Sequence, residues 1–283
     1  MKEIPQYRVL AACSLDKQII LWDIIKIHAI QDIKLESVSA HSLAYSIDFR
    51  VMFSAAYENH INIWSFDKAD WYHTGELAGH NTQVTAIEVI KDTPLLISAD
   101  EIGFIKTWDI RNMSCFQTIH YESRGSITKF LYVNSRKFVG AENRLHWFEF
   151  EDPLTVNTNG IDLHSMTPIS LEYNQDKDEI LIATKSDVRI IDINSGKIKK
   201  ILANVKNEKS DIWILKMYFN HKKFILGDNK GHITTYDKHN GNIYCRNKSH
   251  LNEITCMDID YANKMIISCS WDSSIKIQKE SLK

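Results

Sequence analysis

Two sets of residues in this 283-residue sequence have the types that acyl-transfer chemistry uses. His80, Ser98 and an acidic neighbour, Asp100 or Glu101, form one; His250, Ser268 and Asp272 form the other. A serine deprotonated by a histidine that a carboxylate orients is a hydrolase nucleophile when the three meet in an open cleft. Their spacing argues otherwise. Serine follows histidine at the same distance in both sets, and no Gly-x-Ser-x-Gly turn lifts either serine into a cleft. Residues set by a repeat are better explained as partners that satisfy one another's buried polar atoms. No catalytic residue is therefore expected. A third set, Ser54, Glu58 and Trp64, is partial, with His41 nearer in sequence than the pattern requires.

The other chemistries are weaker. Twelve histidines and five cysteines include no His-x-x-x-His pair, no Cys-x-x-Cys pair and no mixed cluster at ligand spacing, so no metal site is expected. Asp228–Gly231 and Asp237–Gly241 look like calcium loops but lack the alternating oxygen ligands and the terminal Glu, and read as hairpin turns. No Gly-rich phosphate loop is present, and no cofactor is expected. Trp71-Tyr72-His73 could contribute to an aromatic cage for a methylated lysine, against the plainer reading of a packed outer strand. The basic run Lys197, Lys199, Lys200, Lys206 and Lys209, broken by Glu208, reads as a solvated edge strand and not as an anion site.

The elements that hold these residues are strands. Gly79–Asp109 opens on Gly79-His80, runs through the apolar stretches Val84–Ile90 and Leu95–Ser98, and closes on Trp108-Asp109. The Trp108 position recurs at Trp22, Trp64, Phe148, Ile191, Tyr236 and Gln278, at intervals of 42, 44, 40, 43, 45 and 42 residues. An acidic residue follows most of them (Asp23, Asp109, Glu149, Asp192 and Asp237), whereas Ser65 and Lys279 depart. Each interval divides into apolar runs of period two separated by turn residues, which predicts strands. In the second interval these are 43–49, 51–55, 60–65 and 72–77; in the fifth, 168–173, 179–183, 187–192 and 197–203. Asn194-Ser195-Gly196 and His239-Asn240-Gly241 are predicted to turn third strands into fourth ones. The longest irregular piece, Glu151–His164, reads as a connection carrying an irregular outer strand.

Composition bounds the rest. With 44% apolar and 25% charged residues and a net charge of -2, no global field favours nucleic acid or anionic lipid. Met1–Tyr7 has no apolar h-region, and no apolar run approaches the roughly 20 residues that span a bilayer. The odd cysteine count (Cys13, Cys115, Cys245, Cys256, Cys269) fits a reduced, intracellular protein with cysteines acting as small buried hydrophobes.

Gly79-His80, Trp22-Asp23, Trp108-Asp109 and Ser270-Trp271-Asp272 make the chain resemble the WD-repeat β-propellers over nearly its whole length. That resemblance implies an all-β fold, a seven-bladed WD-repeat β-propeller in one domain, 1–283, with blades near 8–36, 41–78, 80–120, 121–160, 164–204, 208–248 and 250–283. The first blade is expected to lack its innermost strand and the last its outer one, because Met1–Tyr7 with Pro5 is a poor strand. This favours a chain that belongs to something longer. The resemblance also implies a hydrogen-bonded blade network of His80, Ser98, Asp100 and Trp108, and of His250, Ser268 and Asp272 with Gln278 in place of Trp.

Lys222–Asp228, Gly231-His232-Ile233, Asn240-Gly241, Ile266–Asp272, Thr93–Asp100 and Arg144–Glu151 resemble blades of large ciliary EF-hand-and-WD-repeat scaffold proteins, although no EF-hand is present. This implies a non-catalytic scaffold for protein partners, axonemal ones included, placed in the cytoplasm or cilium, with no nucleic-acid or membrane role. Trp108-Asp109-Ile110-Arg111 also resembles the Trp-Asp-x-Arg box of cullin-ring substrate receptors, which makes Arg111 a candidate partner contact. Trp64-Ser65-Phe66-Asp67 does not supply the second box.

Overall fold

The strands follow from alternation of apolar and polar residues and from turns placed where the chain needs them. In the computed structural model, residues 1–279 are described except 15, 36–38, 68–69, 121–125, 135–136, 142–143, 150–154, 163–166, 206–210, 219–220 and 262. The chain forms two compact units, Met1–Gly160 and Ile161–Lys283.

In the first unit, blade 1 consists of Lys2–Ile4, Val9–Ser14, Gln18–Asp23 and His28–Lys34, and blade 2 of Ala40–Ser46, Val51–Ala56, His60–Asp67 and Asp70–Ala78. Blade 3 consists of Val84–Ile90, Leu95–Asp100, Phe104–Asp109 and Ser114–His120, and blade 4 of Lys129–Asn134, Lys137–Ala141, Arg144–Glu149 and Thr155–Asp162. In the second, blade 5 consists of Ser170–Asn174, Glu179–Ala183, Val188–Asp192 and Ile198–Leu202, and blade 6 of Ile212–Met217, Lys223–Asp228, His232–Asp237 and Ile243–Lys248. The last sheet, blade 7, has three strands, Ile254–Asp260, Met265–Ser270 and Ile275–Lys279. Every sheet runs in sequence order with antiparallel neighbours, the up-and-down order of propeller blades.

The seven periodic positions all fall on third strands. Each lies opposite a large apolar residue of the second strand: Leu10, Met52, Leu96, Phe138, Ile180, Phe224 and Ile266. At the same position the pairing with the fourth strand slips by one residue, at Leu21/Trp22, Ile63/Trp64, Thr107/Trp108, Ile190/Ile191 and Thr235/Tyr236. A bulge of this kind twists the outer strand.

The acidic residue that follows has a local task. Its carboxylate accepts backbone N–H groups of the next turn: Ile25 and Lys26 on Asp23, Arg111 on Asp109, Ser195 on Asp192, and His239 and Asn240 on Asp237. The two turns predicted from sequence are present, with Gly196 at φ 66 and Gly241 at φ 76.

Burial occurs between neighbouring sheets. One cluster joins Ile4, Val9 and Leu21 of blade 1 to Met52, Trp64 and Trp71 of blade 2, and another joins Phe53 and Leu77 of blade 2 to Ile87, Leu96 and Trp108 of blade 3. In the second unit, Leu181 and Leu202 pack on Leu215 and Phe224, and Ile225 packs on Ile254 and Met257. These interfaces are what allow both faces of each sheet to be apolar.

Three expectations change. Among the described residues six sheets have four strands and the last has three, so six blades are complete, in place of the expected seven with both the first and the last short of a strand. Blade 1 is one of the six. Lys2–Ile4 pairs with Val9–Ala11, and Ile4 is fully buried. Pro5 does not spoil that strand because it opens the following 3-10 turn, Pro5–Tyr7, where a missing N–H costs little. The cysteines are not buried: Cys115 and Cys245 lie exposed on fourth strands, the other three are intermediate, and all five are free. Smaller shifts occur too. Residues 47–50 turn, with Arg50 at φ 54, where a strand through 49 was expected; the outer strand expected within Glu151–His164 is Thr155–Asp162.

Candidate functional site

Blade 3 brings His80, Ser98, Asp100 and Trp108 together. Ser98 and Asp100 stand on the second strand, Trp108 on the third, and His80 in the connection from blade 2. His80 Nδ1 lies 2.9 Å from Asp100 Oδ2, and its Nε2 lies 2.7 Å from Ser98 Oγ. Trp108 donates its indole N–H to the same Ser98 Oγ at 2.8 Å. The proton positions follow. The carboxylate only accepts, so Nδ1 carries a hydrogen; burial pushes the His80 pKa below its ordinary value, against the hydrogen bond and charge of Asp100, so the ring is neutral and Nε2 accepts from the Ser98 hydroxyl.

The order of groups is that of a hydrolytic triad, yet its surroundings are not. Ser98 and Asp100 are 0% exposed and His80 3%. A nucleophile needs room for a carbonyl about 3 Å from its oxygen. Ser98 has a tryptophan there instead, whose N–H occupies the lone pair that would attack. The acid is Asp100 and not Glu101; its other oxygen accepts the N–H groups of Ile102 and Phe104, which shapes the turn into the third strand. What this arrangement can do is fasten.

Blade 7 brings His250, Ser268 and Asp272 together by a different route. His250 Nε2 is 2.8 Å from Ser268 Oγ, and Nδ1 is 3.1 Å from Asp272 Oδ2. Here the carboxylate comes from four residues beyond the serine and not from two, and it also accepts the N–H groups of Leu251 and Ser274. Burial raises the Asp272 pKa, but hydrogen bonds from Ser274, the Leu251 N–H and His250 outweigh it and hold the carboxyl well below its usual range. Gln278 does not reach Ser268; its Nε2 donates to Ser249 Oγ at 2.7 Å.

Other blades keep fragments. Trp64 donates to Ser54 Oγ at 2.9 Å, while His41 lies tilted against Tyr57 with ring centroids 5.0 Å apart and Glu58 lies 2.9 Å from His60. In blade 1 the position of Ser98 is held by Ala12, and the buried Trp22 Nε1 has no hydrogen-bond partner.

Arg111 folds back on Asp109, with Nε to Oδ1 at 2.9 Å and Nη2 to Oδ2 at 2.6 Å, which holds the Asp109 carboxyl below its usual range. Its side chain is still 64% exposed. The cage residues separate instead: Trp71 is 4% exposed and packs on Phe66, Tyr7 and Tyr45, while Tyr72 faces solvent. A buried ring offers no face to a ligand. Of the basic run, Lys199 pairs with Asp192 at 2.6 Å and Glu179 at 3.4 Å, and Lys206, Glu208 and Lys209 lie outside the described residues. Asp228 accepts the N–H groups of Lys230 and His232, as a turn residue does, and no cluster of metal-ligating side chains occurs among the described residues.

One set was missed from the sequence. Lys2, Glu88, Lys216 and Asp258 each stand twenty residues before a Trp108-type position, on the first strand of a blade. Within the first unit Lys2 pairs with Glu88 at 3.0 Å; within the second, Lys216 reaches Glu172 at 2.8 Å and Asp258 at 3.7 Å. Burial opposes the Lys216 charge, but Glu172 and Asp258 more than compensate and raise its pKa. The signal was a charge of alternating sign at one repeat position inside otherwise apolar strands.

Comparison with known proteins agrees with this construction. A family model for the WD domain, G-beta repeat, matches residues 230–277, which span blade 7 and its His250, Ser268 and Asp272. Cilia- and flagella-associated protein 337 B of Tetrahymena thermophila is 23% identical over 98% of the chain, and human WD repeat-containing protein 97 is 31% identical over 27% of it. Pre-mRNA-splicing factor cwf17 of Schizosaccharomyces pombe is 25% identical over 48%. The chain spans 22%, 5% and 40% of the lengths of these relatives. The family match at residues 230–277, the repeat spacing and the blade topology make the chain similar to the WD-repeat proteins, with a resemblance to a cilia- and flagella-associated protein.

Proposed function

We propose that the propeller blades of residues 1–283 serve as a non-catalytic scaffold for other proteins, as a structural component of cilia or flagella. The observation that carries the reading is the sealed network. Ser98 and Ser268 are both 0% exposed, and the turns they anchor carry large apolar residues outward, Leu251 at 85% and Trp271 at 51% exposure. Exposed aromatic and aliphatic side chains on rigidly held loops suit protein partners. The same Ser, His and Asp side chains that resemble a hydrolase site thus support the loops that would bind. The ciliary part is supported by the similarity over 98% of the chain to a cilia- and flagella-associated protein.

A second reading rests on Arg111. Its exposed guanidinium beside Trp108-Asp109 suits a substrate-receptor adaptor of a cullin-ring ligase. Affinity capture of the tagged chain from ciliated cells, followed by mass spectrometry, separates the two. Recovery of axonemal proteins, unchanged by Arg111→Ala, supports the scaffold. Recovery of the cullin adaptor alone, lost with Arg111→Ala, sinks it.

A further inference from the structure

In blade 7, Cys256 of Ile254–Asp260 lies directly opposite Cys269 of Met265–Ser270. The other three cysteines, Cys13, Cys115 and Cys245, lie opposite Ile19, Trp108 and Thr235. Opposed residues of antiparallel strands point to the same face, with Cα atoms about 4.5–5.5 Å apart, and a disulfide takes Cα separations of about 4.4–6.8 Å. Cys256 and Cys269 both carry thiols, and both are half-buried.

The other blades show how near the two side chains of this pair come. Cys256 and Cys269 stand twenty-two and nine residues before Gln278, and the same offsets from Tyr236, Trp108 and Trp64 give the opposed pairs Ile214/Gly227, Ala86/Ala99 and Ser42/Ala55. In all four blades the pairing slips by one residue just before the first member. The second member in blades 2, 3 and 6 is alanine or glycine. At Gly227 a Cβ would stand 2.6 Å from Cγ2 of Ile214, well inside van der Waals contact. Blade 7 has a sulfur in place of that methyl group and a side chain in place of that glycine. Two thiols set so closely are within reach of one bond. The pairing belongs to the first two strands of the blade and does not involve the residues after Lys279.

We infer that Cys256 and Cys269 form a reversible disulfide within the chain, which fastens the turn that carries Trp271. The oxidant is a low-molecular-weight disulfide such as oxidised glutathione. One cysteine thiolate attacks it, forms a mixed disulfide and releases one glutathione thiolate. The other cysteine thiolate attacks the protein sulfur of that mixed disulfide and releases the second. The two cysteines lose two electrons and two protons, and the glutathione disulfide takes up both to become two thiols. The second step is fast because the attacking sulfur is already held beside its target. Cys115 and Cys245, exposed and opposite residues without a thiol, stop at the mixed disulfide. A reducing compartment reverses the link by the same exchange, the behaviour of a redox-sensing pair.

The link falls where the chain already ties this turn down. Trp271 donates its backbone N–H to Glu253 O at 3.1 Å, and Ser270 donates its hydroxyl to Asn252 O at 3.1 Å. A bond between Cys256 and Cys269 closes the slip beside these contacts, where main-chain pairing is interrupted, and so steadies the loops that present Leu251 and Trp271.

The test exposes the native chain to a buffer rich in oxidised glutathione, blocks remaining thiols with N-ethylmaleimide, and maps peptides by mass spectrometry without reduction. A peptide linked through Cys256 and Cys269 is expected, with about tenfold less maleimide on those two positions, glutathione on Cys115 and Cys245, and full reversal by dithiothreitol. In Cys256→Ser, Cys269 is expected to carry glutathione instead. On oxidation, hydrogen exchange at the amides of residues 270–272 is expected to slow about threefold or more, and not to slow in Cys256→Ser. Separate glutathione adducts on Cys256 and Cys269 overturn the inference, as does maleimide on both while Cys115 and Cys245 react with glutathione. A link that joins two chains, or a linked chain whose 270–272 amides exchange as before, overturns it too.

Discussion

Replacing the same residue at two equivalent positions should have two different costs. Ser98→Ala removes one buried hydroxyl and orphans two groups, His80 Nε2 and Trp108 Nε1, which lie 2.7 and 2.8 Å from it. Ser268→Ala orphans only His250 Nε2, at 2.8 Å, because Gln278 has turned to Ser249. A buried donor or acceptor left without a partner costs about 1–3 kcal/mol. With some relaxation around each cavity, the expected losses are about 2–3 kcal/mol for Ser98→Ala and about 1–2 kcal/mol for Ser268→Ala. Urea unfolding at constant slope reads both as shifts of the midpoint. A double-mutant cycle isolates the cause. In a Trp108→Phe background the indole N–H is absent, so the cost of Ser98→Ala should fall to that of Ser268→Ala, a coupling of about 1 kcal/mol. Equal losses in the two blades, or no coupling to Trp108→Phe, would refute the claim that one hydroxyl serves both partners.

The converse substitution should stabilise. Ala12→Ser places a hydroxyl at the Ser98 position of blade 1 and gives the orphaned Trp22 Nε1 an acceptor, for a gain of about 0.5–1.5 kcal/mol visible as a raised urea midpoint; a loss would mean the register of blade 1 differs from that of blade 3. Gly231→Ala should destabilise by about 2 kcal/mol or more, since φ is +82 and a Cβ would sit 2.2 Å from His250 O. Gly241→Ala, at φ +76 but with its nearest neighbour at 3.4 Å, should cost only about 1 kcal/mol of backbone strain, and a thermal melt in which the two lose equally would remove the steric part of the argument. Acid should weaken the fold through His80. Burial holds its folded pKa below the ordinary 6.5, so the unfolded chain binds the proton first and stability falls as pH drops below that value. His41, also lowered by burial, adds in the same direction. The urea midpoint should therefore decrease from pH 7.5 towards 5, less steeply in His80→Gln; a midpoint that rises on acidification contradicts this.

The blade repeat was legible because it rests on large residues at a fixed interval. Trp22, Trp64 and Trp108 are visible in the sequence, and once they set the register, Ile191 and Gln278 fall into place opposite their second-strand partners. The first strand was hidden by its length. Three residues followed by proline carry too little alternation to read, and it is pairing with Val9–Ala11 together with the burial of Ile4 that makes Lys2–Ile4 a strand. In the network, His80, Ser98 and Trp108 sit at repeat offsets, but the carboxylate does not: Asp100 and Asp272 reach equivalent nitrogens from different places in the same turn. Turn geometry, not spacing, decides that. An aromatic run does not say which face a strand buries, so the packed reading of Trp71-Tyr72-His73 could not be assigned to one ring from sequence; Trp71 is the buried one and Tyr72 the exposed one. The charged first-strand residues were passed over because an isolated Lys or Glu in an apolar strand looks like noise until its partner two sheets away, as for Lys2 and Glu88, is known.

The claim that the Ser-His-Asp constellation fastens a blade and performs no chemistry can be tested in one measurement. The native chain is incubated with a fluorophosphonate, which phosphonylates accessible, histidine-activated serines with loss of fluoride, and labelled positions are read by peptide mass spectrometry. Because Ser98 and Ser268 are 0% exposed, neither is expected to carry label in the folded protein. Stoichiometric labelling of Ser98 that disappears in His80→Ala would contradict that expectation and return the site to catalysis.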